Sequence, residues 1–361
     1  MTKLHDLHDQ GQSIWLDFIS RDILANGELD QLLALGIRGV TSNPSILNQA
    51  ISGSDAYTQD IAALAADGAD AFAIYDALSQ ADITAAADRL LPLYESSDRG
   101  DGFVSLEVSP DLADDTEGTV QEALRLWRAI DHPNLMVKVP ATAAGIPAIS
   151  QLIGEGVNIN ATLMFSLADY DAVAFAYIEG LERLVAAGGD PGRVASVASF
   201  FVSRIDGVVD KQLAAVGNSV LQGKIAIANA KLAYRRFQQV FSGPRWQALA
   251  DRGARYQRPL WASTSTKNPV YPDTLYVDNL IGAHTVNTLP LPTIEAALDH
   301  AVVASTVDQG YDEAQAQIDA LAPLGIDFKQ VTDDLQIAGV KAFADAFHSL
   351  LDTVAERAAS L

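Results

Sequence analysis

The sequence predicts an α/β fold, a single (β/α)8 barrel domain spanning residues 1–361, with additional helices towards its C-terminal end. Three observations carry that expectation. About eight strand-like runs alternate with helical patterns, which implies βαβ units and a parallel sheet. No G-x-G-x-x-G follows the first strand, which removes the main signal of a dinucleotide-binding doubly wound sheet. The strands keep ending in polar or proline residues, which suits side chains gathered at one rim of a barrel.

The strand-like runs, in order, are "SIWLDFIS" (13–20), "GIRGVTSNP" (36–44), "GFVSLEVSP" (102–110) and "NLMVKVPAT" (134–142). They continue as "VNINATLMFS" (157–166), "RVASVASFFVSR" (193–204), "RPLWASTSTKNP" (258–269) and "HTVNTLP" (284–290). Each is rich in β-branched or aromatic residues and closes on turn formers. Between them lie amphipathic stretches such as 119–130, 171–188 and 223–241, with another at 338–361. Residues 294–335 read as helix with turns in the same domain. "AAGGDPG" (186–192) is a helix stop and a turn rather than a domain boundary. There is no Pro/Gly/Ser-rich linker, low-complexity tract or short repeat.

About half of the chain is apolar, enough for a sizeable core. The formal net charge is -22. Such a chain is a poor binder of nucleic acid or anionic membranes, and it repels small anions at long range. A phosphorylated substrate therefore requires cations gathered locally. Cysteine is absent, which excludes disulfides and thiolate metal sites and is compatible with a reducing cytoplasm. No apolar run reaches the ~18 residues of a membrane span, and "MTKLHDLHDQ" has no signal-peptide character.

The chemistry is legible where strand alternation breaks the apolar pattern. In 157–166, Asn158, Asn160 and Thr162 share one face, while Val157, Ile159, Ala161 and Leu163 take the other. The apolar face must meet the helices, so the polar set points into the barrel, a place usually filled by branched side chains. Asp17 follows Leu16, Glu107 follows Leu106, and Lys138 lies between Val137 and Val139. Each is a lone charge near the end of an apolar strand. A structural ion pair, Lys138 with Glu107 or Asp17, accounts for any one of them. Three on three strands point instead to a catalytic set, since buried ion pairs contribute little to stability. An amine in apolar walls is biased towards its neutral form. It can then attack a ketone to give an iminium, an electron sink that lets a neighbouring carbon–carbon bond break. A carboxylate takes the proton of the departing hydroxyl.

"DFISR", "GVTSNPSI", "SLEVSP", "MVKVPAT", "INATLMFS" and "SFFVSRIDG" stand in this order. With them the chain resembles the transaldolase family over nearly its full length. The resemblance implies an (α/β)8 barrel without metal or organic cofactor. It implies transfer of a dihydroxyacetone unit from sedoheptulose 7-phosphate or fructose 6-phosphate to glyceraldehyde 3-phosphate or erythrose 4-phosphate, in the pentose phosphate pathway of the cytoplasm. It makes Lys138 the Schiff-base lysine and Asp17 the general acid/base. Glu107 activates a water that Thr162 helps to hold. Asn43, Asn160 and Ser199 hydrogen-bond the substrate, with Phe201 beside it. Arg204 matches the family's phosphate-binding arginine. A second phosphate cation, commonly arginine, is expected after the seventh strand. "STSTKNP" stands there, so Lys267 takes that place, as a point charge without a bidentate fork; a solvated loop cation is the alternative.

The partners implied are sugar phosphates, with neither nucleic acid nor membrane, and a monomer or homodimer. Two rivals stand beside the transferase. One is a related aldolase that releases free dihydroxyacetone; such relatives carry glutamine at the position of Glu107 and tyrosine at that of Phe201. The other is a non-catalytic sugar-phosphate-binding barrel. His5 and His8 read as surface residues, and there is no H-E-x-x-H, G-x-S-x-G or G-x-x-x-x-G-K-[ST]. Trp15, Trp127, Trp246 and Trp261 read as core.

Overall fold

Eight parallel strands close on themselves in sequence order, as seen in a computed structural model that describes residues 1–361. They are β1 (Gln12–Leu16), β2 (Gly39–Thr41), β3 (Phe103–Glu107), β4 (Leu135–Pro140), β5 (Ile159–Met164), β6 (Ser196–Phe201), β7 (Gln257–Ala262) and β8 (Thr285–Leu289). All eight lie within or within a residue of the runs read from the sequence. They are shorter because the terminal residues of each run turn away into the rim loops that carry the polar side chains. The (β/α)8 expectation therefore holds.

Register fixes which side chains face inwards. Val286 pairs with Ser13, Thr41 with Ser105, Glu107 with Lys138, and Lys138 with Asn160. Paired residues of parallel strands share a face, so these all belong to the barrel interior. The alternate residues Ile14, Leu16, Val40, Leu106, Val137, Val139 and Ile159 are buried against the helices. Each such burial stabilises the fold by about 1.5–3 kcal/mol relative to exposure. The interior is filled in the lower part by Trp15, whose ring occupies the space of a missing side chain at Gly39. A Cβ there would sit 2.6 Å from the indole. Trp15 and Trp261 are fully buried and Trp246 nearly so, while Trp127 is only partly buried.

The strict alternation of residues 157–166 fails at one point. Leu163 adopts a left-handed backbone, φ 62°, and the β5–β6 register shifts between Ala161 and Met164. The irregularity turns β5 out of the sheet just above Thr162.

The last helix, Phe328–Ser360, begins ten residues before the amphipathic stretch that starts at 338. Asp327 caps it, accepting from the backbone N–H of Gln330. At 33 residues it is about 50 Å long. It packs along the helices Pro44–Gly53 and Ala71–Ser96 and crosses the open end of the barrel. Gln336 donates to the carbonyls of Ala141 and Leu163, satisfying backbone left unpaired where β4 and β5 end. Gly339 lets the helix close on that rim, since a Cβ would stand 3.1 Å from the Leu163 side chain.

His5 and His8 depart from a plain surface reading. His5 Nδ1 accepts from the backbone N–H of Thr2 at the first helix, and His8 is half-buried under the barrel near Arg38 and Asp101. No helix is long and apolar enough to cross a membrane.

Candidate active site

A cavity of about 490 Å3 opens at the C-terminal ends of the strands. Asp17, Asn43, Lys138, Asn160, Thr162, Ser199, Phe201, Arg204 and Lys267 all line it. The fold thus brings together nine of the ten residues singled out from the sequence. The tenth, Glu107, stands behind Lys138 and lines two side cavities of about 10 Å3 each, room for a single water.

Lys138 is the only lysine within a strand and is nearly fully buried. Its ammonium donates to the Ser42 carbonyl at 2.9 Å and lies 3.9 Å from Glu107 Oε2. The Phe343 ring of the C-terminal helix covers it, 5.9 Å from Nζ to the ring centroid. Glu107 Oε2 is buried with no hydrogen-bond partner. Burial pushes the Glu107 carboxyl up to about 7; Lys138 opposes that shift and Asp17 adds to it. Asp17 sits one residue past β1 and accepts from the Thr41 hydroxyl at 2.7 Å. Burial also raises its pKa, against the pull of Lys138, Thr41 and Lys267. No guanidinium or ammonium is in direct contact with Asp17. Its proton affinity is therefore set by one hydroxyl and two cations at a distance.

The amide and hydroxyl groups form a chain across the interior. Ser199 Oγ donates to Asn160 Oδ1 at 2.7 Å, and Asn160 Nδ2 donates to Ser105 Oγ at 3.1 Å. Thr162 lines the cavity, and its hydroxyl makes no hydrogen bond within the protein. Asn158 shares that face, but it is committed to structure. It donates to the Pro133 and Leu135 carbonyls and accepts from Ala195 N–H. Asn43 caps the helix Pro44–Gly53 through its side-chain oxygen, which leaves its amide N–H groups free at the cavity wall.

Arg204 lies at the start of the helix Ser203–Ala215 and stacks over Phe201, 5.0 Å from the ring centroid. It makes no ion pair, and burial lowers its pKa. Lys267, in the loop after β7, donates to Ser265 Oγ at 2.7 Å and also lacks a carboxylate partner. In a chain of net charge -22, two cations without a carboxylate in contact line this one cavity, an arrangement able to accept an anion.

Sequence reasoning missed the contribution of the last helix. Phe343 lines the cavity and closes it over Lys138. Its spacing on an amphipathic helix is that of any core residue, so nothing in the chain singled it out. Thr41 and Thr288 were also passed over; their hydroxyls share a 2.6 Å hydrogen bond beside Asp17. Strand alternation extended to β2 and β8 would have found both.

The sequence model of the transaldolase/fructose-6-phosphate aldolase family matches residues 14–354. The chain is 48% identical to a transaldolase of Parafrankia sp., covering 99% of this chain and 98% of that one. It is 49% identical to a transaldolase of Acidothermus cellulolyticus, over 97% and 95%, and 49% identical to one of Thiobacillus denitrificans, over 96% and 98%. The barrel, the buried lysine between two acids and these near-full-length similarities agree: the chain belongs to the transaldolase/fructose-6-phosphate aldolase family and is an enzyme of the transaldolase kind.

Proposed function

We propose that the protein transfers a dihydroxyacetone unit between sugar phosphates through an imine on Lys138. The observation that carries this reading is the position of Lys138: the single strand lysine, buried at the cavity wall, with Glu107 behind it and Asp17 on the neighbouring rim. The amine adds to the C2 carbonyl of the ketose. Glu107, with a water, serves the proton transfers by which the carbinolamine loses water and becomes an iminium. The Asp17 carboxylate then takes the proton of the C4 hydroxyl. The C3–C4 bond breaks, the shortened aldose leaves as an aldehyde, and the electron pair passes into a three-carbon enamine on Lys138. That enamine attacks the aldehyde of the acceptor, Asp17 returns the proton, and water releases the product and the free amine.

Asn160, Ser199 and the free amide of Asn43 fit the hydroxyls of the donor. Thr162 fits the water, because its hydroxyl stands at the cavity wall with no other partner. Arg204 and Lys267 fit the phosphate, since neither has a carboxylate in contact. The chain's own acids, amine and hydroxyls supply every proton transfer in this scheme.

The rival aldolase reading, with release of free dihydroxyacetone, differs in the fate of the enamine. Phe201 lines the cavity and packs 5.2 Å from Phe165. Its phenyl ring excludes water and has no proton to give, which favours transfer. The test is transfer from fructose 6-phosphate to erythrose 4-phosphate, measured alongside free dihydroxyacetone. Efficient transfer with slow release is expected, and Phe201→Tyr is expected to move the partition towards release. Rapid release by the unaltered protein, with the ratio unchanged in Phe201→Tyr, contradicts the transferase reading.

A further inference from the structure

A second cavity lies at the other end of the barrel. It holds about 360 Å3 and opens at the N-terminal ends of β3, β6 and β7, with no residue in common with the first. Arg99, Arg255, Arg258 and His284 line it, and no carboxylate does. Two acids stand nearby. Asp98 pairs with Arg255 at 3.1 Å, and Asp101 is buried between Arg38 and Arg258. Four guanidinium groups against two carboxylates leave an excess of two positive charges. That excess sits on a molecule whose net charge is -22.

The donors are also partly unused. The Arg99 side chain makes no hydrogen bond or ion pair. Arg255 commits Nε to the Gly192 carbonyl and Nη2 to Asp98, leaving Nη1 free. The His284 ring makes no hydrogen bond and packs against Tyr256, 4.8 Å between centroids. Phe103 and Met136 supply an apolar floor. The backbone is bent to this arrangement. Asp98, Arg99 and His284 have φ values of 50°, 61° and 58°, three of the six non-glycine residues in the left-handed region. Such conformations persist where surrounding structure enforces them, and they cluster at binding sites.

We propose that this bowl binds a small phosphomonoester, on the face of the barrel opposite the catalytic cavity. A phosphomonoester carries close to two negative charges at neutral pH, which matches the local excess, and guanidinium forks suit its oxygens. The volume admits a small phosphorylated metabolite. The repulsion of the acidic surface makes such a binding site one that must be assembled deliberately, as the catalytic mouth is with Arg204 and Lys267.

The experiment is calorimetric titration of the full-length protein with methyl phosphate at pH 7.5 and low salt, with succinate as the dicarboxylate control. Arg204→Ala in the catalytic cavity is expected to retain one saturable site. Arg99→Gln and Arg255→Gln, each in the Arg204→Ala background, are expected to weaken that site by about tenfold or more. Arg99→Gln alone is expected to leave sugar-phosphate transfer unchanged, since Arg99 has no contact to lose. Absence of binding in Arg204→Ala, or binding unaltered by both arginine substitutions, overturns the site. Succinate binding as tightly as methyl phosphate overturns the assignment to phosphate.

Discussion

The two ends of the barrel both bury charge, and they treat it differently. At the N-terminal end, Asp101 is nearly fully buried, but Arg38 reaches it at 2.5 Å and Arg258 at 3.3 Å. Burial alone would raise its pKa; the two guanidinium groups, with the Ser13 hydroxyl, overcome that and hold it below the ordinary carboxylate value. At the C-terminal end, burial raises Glu107 and Asp17; Lys138, which stands back at 3.9 Å from Glu107 and is held by a carbonyl, opposes that without overcoming it, as does Lys267 at Asp17. Acids beside cations thus form a locked ion cluster at one end and keep raised pKa values at the other. What differs is the contact distance and the number of cations per acid. Fixed charges stabilise the fold, whereas poised ones serve chemistry at neutral pH.

The largest effect that distinguishes the ends is loss of the proposed nucleophile. Lys138→Ala is expected to lower transfer by at least about ten-thousandfold, leaving only binding and orientation. Borohydride reduction in the presence of fructose 6-phosphate should add one dihydroxyacetone-sized mass to the peptide containing Lys138. A label on another lysine, or retained activity in Lys138→Ala, breaks the comparison outright.

The acids come next. Asp17→Ala should allow the imine to form yet slow bond cleavage, and Glu107→Gln should slow imine formation and hydrolysis, each by roughly a hundred- to ten-thousandfold. Trapping the imine at single turnover separates the two. The acidic limb of the wild-type pH–rate profile, with an apparent value near 7, should lose its Glu107 component in Glu107→Gln and keep that of Asp17. That value belongs to the coupled set of Glu107, Asp17 and Lys138. Stability gives an independent check with a definite sign. The Glu107 carboxyl rises from an ordinary 4.5 to about 7 on folding, so in that window the native state binds more protons than the unfolded state. This group's contribution therefore becomes unfavourable as pH rises from 4.5 to 7. The melting temperature of Glu107→Gln should gain on wild type between pH 5 and pH 8. A Glu107→Gln variant that loses ground to wild type over that range contradicts the raised value.

At the opposite end, Asp101→Asn should cost about 1–3 kcal/mol of stability, because it leaves two half-buried guanidinium groups without the carboxylate they share. Activity per folded molecule should not change. Denaturant melts paired with the transfer assay test this, and a loss of kcat in the folded fraction would show that the ends are coupled.

The smallest expected effect is at the phosphate mouth. Arg204→Ala and Lys267→Ala should each raise KM for phosphorylated sugars by about ten- to a hundredfold, with little change for unphosphorylated analogues. Lys267 is exposed and held only by Ser265, so its effect should be the weaker and the more sensitive to salt. If Lys267→Ala leaves both KM values unchanged, it is a solvated loop cation and Arg204 acts alone.

Much of this architecture is written in local pattern. The eight strands, the helices between them and the inward face of Asn160 and Thr162 follow from periods of two and 3.6, which the chain carries residue by residue. Lone charges inside apolar runs marked Asp17, Glu107 and Lys138 without any knowledge of their partners. Tertiary structure alone decided the rest, because it depends on distances between residues far apart in the chain. It placed Glu107 behind Lys138 instead of in the cavity, drew Asp101 between two arginines from other segments, and laid Phe343 of the last helix over the amine. It also bent β5 at Leu163, where the rim has to open beneath that helix. Periodicity reports which face a side chain takes. How near it comes to an opposite charge, and so whether that charge is locked or free to exchange a proton, is set only when the barrel closes.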